Sequence, residues 1–174
     1  TVVIQGVINQ NSLQIADQIL SMPGKTINIV INSGGGSIFA GNTIVQAINT
    51  VQSSGKVVNC AVSRFAASMA FIIFNECTNR YALPTSMLLW HAPRIMYMGI
   101  LTPGIMGPIY DQLMKLKTFY DGRILKNLKI NSQFYEYCSK NDIIHFGQGI
   151  HDLDSNYLTL IPGIVIKKEK KLGK

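Results

Sequence analysis

The apolar residues of the first 90 positions follow two alternating periods, and each change of period marks a predicted element. Extended apolar runs predict strands over residues 1–8, 26–32, 56–62 and 86–90. The segments between them carry apolar residues at helical spacing and predict helices over residues 12–22, 38–51 and 67–75. The second strand is apolar on both faces, which is typical of a parallel sheet covered on both sides. This strand–helix alternation predicts one α/β domain.

The second half of the chain is predicted to be mostly helical. Helical spacing predicts a long helix over residues 108–128 and a shorter one over 133–140, followed by a closing strand over 161–166. The apolar segment 95–110 contains three glycines and two prolines, so we interpret it as a loop or an assembly element. No uninterrupted apolar run approaches the ~18 residues that span a bilayer, and we expect no membrane association.

Composition adds an expectation about partners. Charged residues make up 14% of the 174 positions, well below the usual ~25%. Partner subunits that cover part of the surface would explain this shortfall. The tail 167–174 holds five lysines against one glutamate, which accounts for +4 of the net charge of +7. The excess of positive charge therefore lies mostly in the tail, and we expect no nucleic-acid partner.

The three cysteines lack the spacing of a metal site. Cys60, Cys77 and Cys138 are also odd in number, which favours buried free thiols in a reducing compartment. The three histidines show no metal-ligand spacing either. We therefore expect no metal and a cytoplasmic location.

Two short segments carry the candidate chemistry, each where an extended pattern gives way to a helical one. The segment 33–37, Ser-Gly-Gly-Gly-Ser, predicts a tight turn whose backbone N–H groups can hold negative charge. Ser68 opens the next helix, where its hydroxyl can attack a carbonyl group beside the N–H of Met69. The alternatives are that Ser68 is only a helix N-cap, and that the glycines form a flexible turn or a phosphate cradle. A phosphate cradle is weakly supported, since no complete nucleotide-binding motif is present.

A serine nucleophile also needs a base and a carboxylate. His91 follows a predicted strand, at the edge where α/β sheets gather ligands, while His145 and His151 fall in a predicted loop. Spacing alone does not choose among the carboxylate candidates, which are Asp111, Asp121, Asp142, Asp152 and Asp154.

Four motifs in order resemble the Clp protease proteolytic subunit (ClpP) family, especially its divergent phage members. They are Ile-Asn-Ser-Gly-Gly-Gly-Ser at 31–37, Ala-Ala-Ser-Met at 66–69, Arg-Tyr-Ala-Leu-Pro at 80–84 and Leu-Trp-His-Ala-Pro at 89–93. The resemblance implies a ClpP/crotonase-like α/β spiral of repeated ββα units. It would span residues 1–166 as one domain, with a handle at about 94–115 and the basic tail at 167–174.

The resemblance also implies roles for individual residues. Ser68 would be the nucleophile, His91 the general base and Asp142 the third triad member, with Asp152 and Asp154 open as alternatives to Asp142. The oxyanion donors would be the N–H groups of two residues, Gly36 and Met69. The backbone that contacts substrate would come from Gly35, Ser37 and Ile38.

The implied function is that of a serine endopeptidase that degrades peptides or unfolded proteins without a cofactor. It would act inside heptameric rings stacked into a tetradecamer. An AAA+ unfoldase could be a further partner. The location would be the cytoplasm, and the host cytoplasm for a phage protein. The alternatives are an inactive ring subunit, a phage head-maturation or signal-peptide type of peptidase, and a crotonase-type acyl-CoA enzyme.

Overall fold

A seven-stranded sheet organises the part of the chain that the computed structural model describes, residues 1–163. A 3₁₀ turn (Gln10–Ser12) precedes the first helix. In chain order the elements are β1 (Val2–Ile8), α1 (Leu13–Ser21), β2 (Thr26–Gly36), α2 (Ile38–Ser53), β3 (Val57–Ala67), α3 (Met69–Asn75), β4 (Asn79–Ala82), β5 (Met87–Leu89), α4 (Pro103–Asn127), α5 (Ser132–Lys140), β6 (His145–Phe146), α6 (Gly147–Leu153) and β7 (Thr159–Leu160). The predicted α/β class is confirmed. No helix within residues 1–163 combines the length and the apolar character needed to span a bilayer.

The sheet divides at β3. Strands β1, β2, β3, β4 and β7 lie side by side in that order, and all of these pairs are parallel. The first part of β3 pairs with β4, whereas its last residues pair with β5, in the register Phe65 opposite Met87 and Ala67 opposite Leu89. Strand β6 then runs antiparallel to β5. The carboxyl ends of β3 and β5 therefore lie side by side.

The core lies between the sheet and the first three helices. Alternate residues of β2, namely Ile27, Ile29 and Ile31, are buried on the helix-covered face. Helix α3 packs on β2 and β3, and all of its residues are buried, as its nearly all-apolar sequence predicts. The other face of the sheet is only partly covered, since Asn28 is exposed there and accepts a 2.9 Å hydrogen bond from Asn59.

Several element boundaries differ from the sequence prediction; β3, for example, continues to Ala67, five residues past its predicted end. Strand β2 continues through Gly36 because Ile8 of β1 pairs with Gly36, so the glycine segment is a strand end and not a turn. Helix α4 begins at Pro103, five residues early, because proline is favoured at the first helical positions. The last described strand, β7, precedes the predicted one, and residues 164–166 and the tail lie outside the described residues.

The prediction of three free thiols is wrong. Cys60 of β3 and Cys77, just after α3, form a disulfide with their Cα atoms 5.9 Å apart, while Cys138 is free and buried. The two cysteines are distant in sequence, and the fold brings them together. The cysteines therefore no longer argue for a reducing compartment. The loop prediction for two histidines is also wrong, because His145 lies in β6 and His151 in α6.

Candidate active site

A cleft of about 180 Å³ lies where β2, β3 and β5 end. Its walls come from these strand ends and from α2, α3, α4 and α5. Six residues that the sequence nominates line it, namely Gly36, Ile38, Ser68, Met69, His91 and Asp121. The remaining lining residues are Ile72, Trp90, Pro93, Arg94, Tyr120, Ile124 and Tyr135.

Ser68 occupies the junction between β3 and α3 in an unusual backbone conformation. Its φ is 54° and its ψ is −125°, and its N–H donates to the carbonyl oxygen of Leu89 at 2.9 Å. The side chain makes no capping hydrogen bond to α3, so the interpretation of Ser68 as only an N-cap is wrong. A positive φ at a serine is costly, and such geometry at a strand–helix turn exposes a nucleophilic hydroxyl.

The end of β2 lies directly against Ser68, and only glycine allows this approach. A Cβ atom on Gly35, whose φ is +90°, would lie 2.7 Å from Ser68 Cβ and 2.9 Å from the Met69 nitrogen. A Cβ atom on Gly36 would lie 2.2 Å from the Ile8 carbonyl oxygen. Gly35 therefore sets the distance between the β2 backbone and the start of α3, and Gly36 sets the distance between β2 and β1.

The backbone N–H groups around the cleft differ in what they already bind. Met69 begins α3, and the first N–H groups of a helix have no partner inside that helix. By contrast, the Gly35 N–H donates to Ser33 Oγ at 3.1 Å, and the Ser37 N–H donates to the Ile8 carbonyl oxygen at 2.8 Å. Ser37 Oγ also caps α2 by accepting from the Ala40 N–H. Gly35 and Ser37 therefore shape the backbone beside the cleft.

Aromatic stacking fixes the strand end that carries His91. The neighbouring Trp90 is buried, and its ring stacks on Tyr135 at 5.4 Å and on His145 at 4.5 Å between centroids. The Trp90 indole N–H also donates to the Tyr135 carbonyl oxygen at 3.3 Å. His91 is half-buried, and its Nδ1 lies 2.7 Å from the Ala92 carbonyl oxygen. His91 is the one histidine within residues 1–163 that lines this cleft.

Asp142 lies in the loop after α5, close to His91 but paired elsewhere. Its carboxylate accepts from the Arg94 guanidinium, and both side chains are substantially exposed. The hydrogen bonds from Arg94, and to a smaller degree the charge of His91, lower the pKa of Asp142. The open alternatives bind local partners, because Asp152 accepts from Gln148 and Asp154 from the Lys129 N–H, each at 2.8 Å.

Comparison with known proteins identifies the family of the chain. A sequence model of the Clp protease family matches residues 1–106. The chain belongs to the Clp protease family. This confirms the resemblance to the ClpP family, while the likeness to its phage members stays a prediction.

Two curated relatives carry the name ATP-dependent Clp protease proteolytic subunit. The one from Porphyromonas gingivalis is 41% identical over 73 residues, which cover 41% of this chain and 32% of the relative. The one from Leuconostoc citreum is 32% identical over 123 residues, which cover 67% of this chain and 60% of the relative. The chain thus matches less than two thirds of the length of either relative.

Within this Clp protease family member, the structure singles out one of the five carboxylate candidates that spacing alone did not separate. Asp121 is the one aspartate among residues 1–163 that lines the cleft, and it accepts a 2.7 Å hydrogen bond from the Tyr135 hydroxyl. Tyr120 and Ile124 fall on the predicted apolar stripe of α4, which places Asp121 at its edge. The apolar stripe of α4 was the sequence feature that could have indicated Asp121. It did not show that α4 faces Ser68.

Proposed function

We propose that this protein is a serine endopeptidase that cleaves peptides or unfolded proteins through Ser68, His91 and Asp142. The observation that carries the proposal is the backbone of Ser68, held at positive φ against Gly35 in the cleft that His91 also lines. A structural serine has no need of this costly conformation. A nucleophile benefits from it, because its hydroxyl is then exposed beside a free helix N–H.

In the proposed mechanism, His91 takes the proton from the Ser68 hydroxyl as its oxygen attacks the scissile carbonyl carbon. The N–H groups of Met69 and Gly36 hold the oxyanion of the tetrahedral intermediate. The protonated His91 then gives its proton to the leaving amine, and an acyl-enzyme on Ser68 remains. Water hydrolyses this ester by the reverse sequence of proton transfers. The backbone at Ile38, shaped by Gly35 and Ser37, would lie along the substrate chain.

The proposed acid must change partner before the triad is complete. Asp142 is paired with Arg94, and His91 Nδ1 lies against the Ala92 carbonyl oxygen. Exposed ion pairs contribute little, typically ~0–1 kcal/mol, so this exchange costs little. In the working form, Asp142 would accept from His91 Nδ1–H and hold the imidazole in the tautomer that accepts the serine proton.

The proposed assembly is a ring-shaped homo-oligomer. The segment 95–102 and the start of α4 expose a group of large apolar side chains, with Met96 and Met98 90% exposed and Ile100 85% exposed. Together with the low charge content, this surface supports burial against other copies. By family resemblance we propose stacked heptameric rings, with an AAA+ unfoldase as a further partner.

A second candidate is favoured by one observation. The partners of His91 and Asp142 in this structure are Ala92 and Arg94, so a subunit that stays in this arrangement would be an inactive ring component. The two candidates differ in whether Ser68 is activated as a nucleophile. A reagent that reacts only with activated serines separates them.

The test is labelling of the full chain with a fluorophosphonate probe, read by intact mass and peptide mapping. We expect a single adduct, on Ser68, and none in Ser68→Ala. The matched control is Ser63→Ala, a β3 serine whose hydroxyl binds the Ile31 carbonyl oxygen, which should label like the wild type. Folded, assembled protein that gives no adduct on Ser68 would contradict the peptidase proposal and favour the inactive subunit.

A further inference from the structure

A cluster of charged side chains closes the α4 and α5 side of the cleft, away from the proposed triad. Lys117 donates to Asp121 and also to Glu136, the latter at 2.7 Å. Lys117 and Asp121 are each only 18% exposed. Of these three residues, Asp121 alone lines the cleft, so Lys117 lies behind it.

Both oxygens of Asp121 have partners on the protein. The Tyr135 hydroxyl donates to Oδ1, and Lys117 donates to Oδ2. Burial and Asp121 raise the pKa of Tyr135, so its hydroxyl keeps the proton that it donates. Burial lowers the pKa of Lys117, but its hydrogen bonds to Asp121 and Glu136 outweigh burial and leave that pKa raised. The cleft wall therefore carries a carboxylate whose charge a partly buried lysine balances.

Apart from the proposed triad residues and Arg94, whose charge is paired with Asp142, the remaining walls around Asp121 are apolar or aromatic. They include Ile72, Ile124 and the rings of Tyr120 and Tyr135, and the Tyr120 hydroxyl is occupied by Asn42 at 3.1 Å. If a peptide carbonyl lies at Ser68, the side chain on the acyl side of the scissile bond, P1, enters the space between these walls. The charge of Asp121 then decides which side chains fit, since an uncompensated charge there costs free energy.

We propose that Lys117 determines P1 specificity by balancing Asp121, so that the pocket takes uncharged P1 side chains and rejects cationic ones. This inference rests on the proposed function for the location of P1. Without Lys117, the carboxylate of Asp121 would face the pocket unbalanced and would attract a lysine or arginine side chain. At the partly buried position of Asp121, two opposite charges about 4 Å apart interact strongly enough to change selectivity at least tenfold.

The test compares acetyl-Ala-Ala-Leu-amide with acetyl-Ala-Ala-Lys-amide, in binding and, as the fluorogenic derivatives, in hydrolysis. Trp90 is the only tryptophan of the chain and lines the cleft, so its fluorescence reports binding without any need for turnover. In the wild type we expect the leucine peptide to bind more tightly. In Lys117→Met, we expect the ratio of the two affinities to move at least tenfold toward the lysine peptide.

Two further variants keep the result interpretable. Lys115→Met removes the same charge from an exposed position of the same helix and should leave the ratio within twofold of the wild type. The double variant Lys117→Met with Asp121→Asn removes both charges, so it should restore the preference for leucine even where the single variant is poorly folded.

Each outcome decides between the two proposals. Hydrolysis by the wild type with an unchanged ratio in Lys117→Met would overturn the role of Lys117 and leave the peptidase intact. A shifted binding ratio without hydrolysis by any variant would support the pocket and count against the peptidase. If neither peptide changed the Trp90 emission or was hydrolysed in any variant, the inference would be overturned.

Discussion

Ser68 and Asp142 are the two non-glycine residues within residues 1–163 that have positive φ, 54° and 51°, yet their surroundings differ. Ser68 is half-buried between Gly35 and the end of β5, at the carboxyl edge of the parallel sheet. Asp142 is exposed in a loop and paired with the exposed Arg94. We call the first region the nucleophile side and the second, with residues 91–94, the acid side. The nucleophile side is fixed by packing, whereas Asp142 on the acid side is held by a weak surface ion pair.

The largest expected effect is on the nucleophile side. Ser68→Ala should lower peptide hydrolysis by a factor on the order of 10⁴ or more, because no acyl-enzyme can form. The fold and assembly should persist, since the hydroxyl makes no capping bond. The check is steady-state hydrolysis together with size-exclusion chromatography. Near-normal turnover by pure variant protein would contradict the assignment.

Loss of the proposed acid should cost less. Asp142→Asn leaves the nucleophile and oxyanion donors in place but removes the group that orients His91, so we expect a loss of about 10³-fold in kcat. Asp152→Asn is the matched control, since Asp152 binds Gln148 and lies outside the cleft. If Asp152→Asn or Asp154→Asn lost more activity than Asp142→Asn, the third triad member would have to be reassigned.

A backbone change tests how tightly the nucleophile side is packed. Gly35→Ala would bring a Cβ atom to 2.6 Å from the Ala67 carbonyl oxygen at a φ of +90°, so the strand or Ser68 must shift. Because misplacement by about 1 Å can cost 10²-fold, we expect a loss of that order in kcat.

The neighbouring glycine provides the control. A Cβ atom on Gly34 would lie 3.6 Å from the nearest Phe65 ring atom, an ordinary contact. Gly34→Ala should therefore retain activity within about twofold and unfold at the same denaturant concentration as the wild type. Equal losses in both variants would show that the approach of β2 to Ser68 is not what positions the nucleophile.

The elements and site residues that could be predicted from the sequence are those that depend on local pattern. Helices α2 and α3 follow from apolar spacing, and Ser68 and His91 stand in motifs at element ends, so local pattern suffices for both. The interpretation of the glycine segment as a turn failed because its strand character comes from pairing with β1, at the far end of a crossover. The local pattern of apolar residues cannot show which residues of two strands pair with each other.

Contacts between distant segments escaped prediction for the same reason. Cys60 and Cys77 bond, Arg94 pairs with Asp142, and Asp121 reaches the cleft only because α4 packs over α3. Each contact depends on where whole elements lie relative to one another. Spacing along the chain carries no information about these distances.

A smaller effect should come from the acid side. Arg94→Gln releases Asp142 from an exposed ion pair worth at most ~1 kcal/mol, so kcat should rise by up to about fivefold. Added salt should raise the wild-type rate toward the same value, since it screens this pair, and should change the variant little. The control is Lys25→Gln, an exposed charge on the turn before β2. A rate that falls in Arg94→Gln would show that Arg94 supports the working triad.

The smallest effect concerns His145, which stacks on Trp90, the residue directly before His91 of the acid side. Burial lowers the pKa of His145, and its Nε2 is buried without a partner. As the pH falls from 7 to 5, the unfolded chain therefore takes up the proton before the folded chain does, and the folded state loses stability.

Denaturant titrations followed by far-ultraviolet circular dichroism should show this loss, with Trp90 fluorescence recorded in parallel. His145→Gln should flatten the pH dependence, whereas His151→Gln, a change in α6 outside the cleft, should not. Since Trp90 carries the strand end that holds His91, a change in its emission before global unfolding would place the first acid-induced loosening on the acid side. If the Trp90 emission and global unfolding changed together at every pH, the Trp90–His145 stack would instead hold the nucleophile side and the acid side as one cooperative unit.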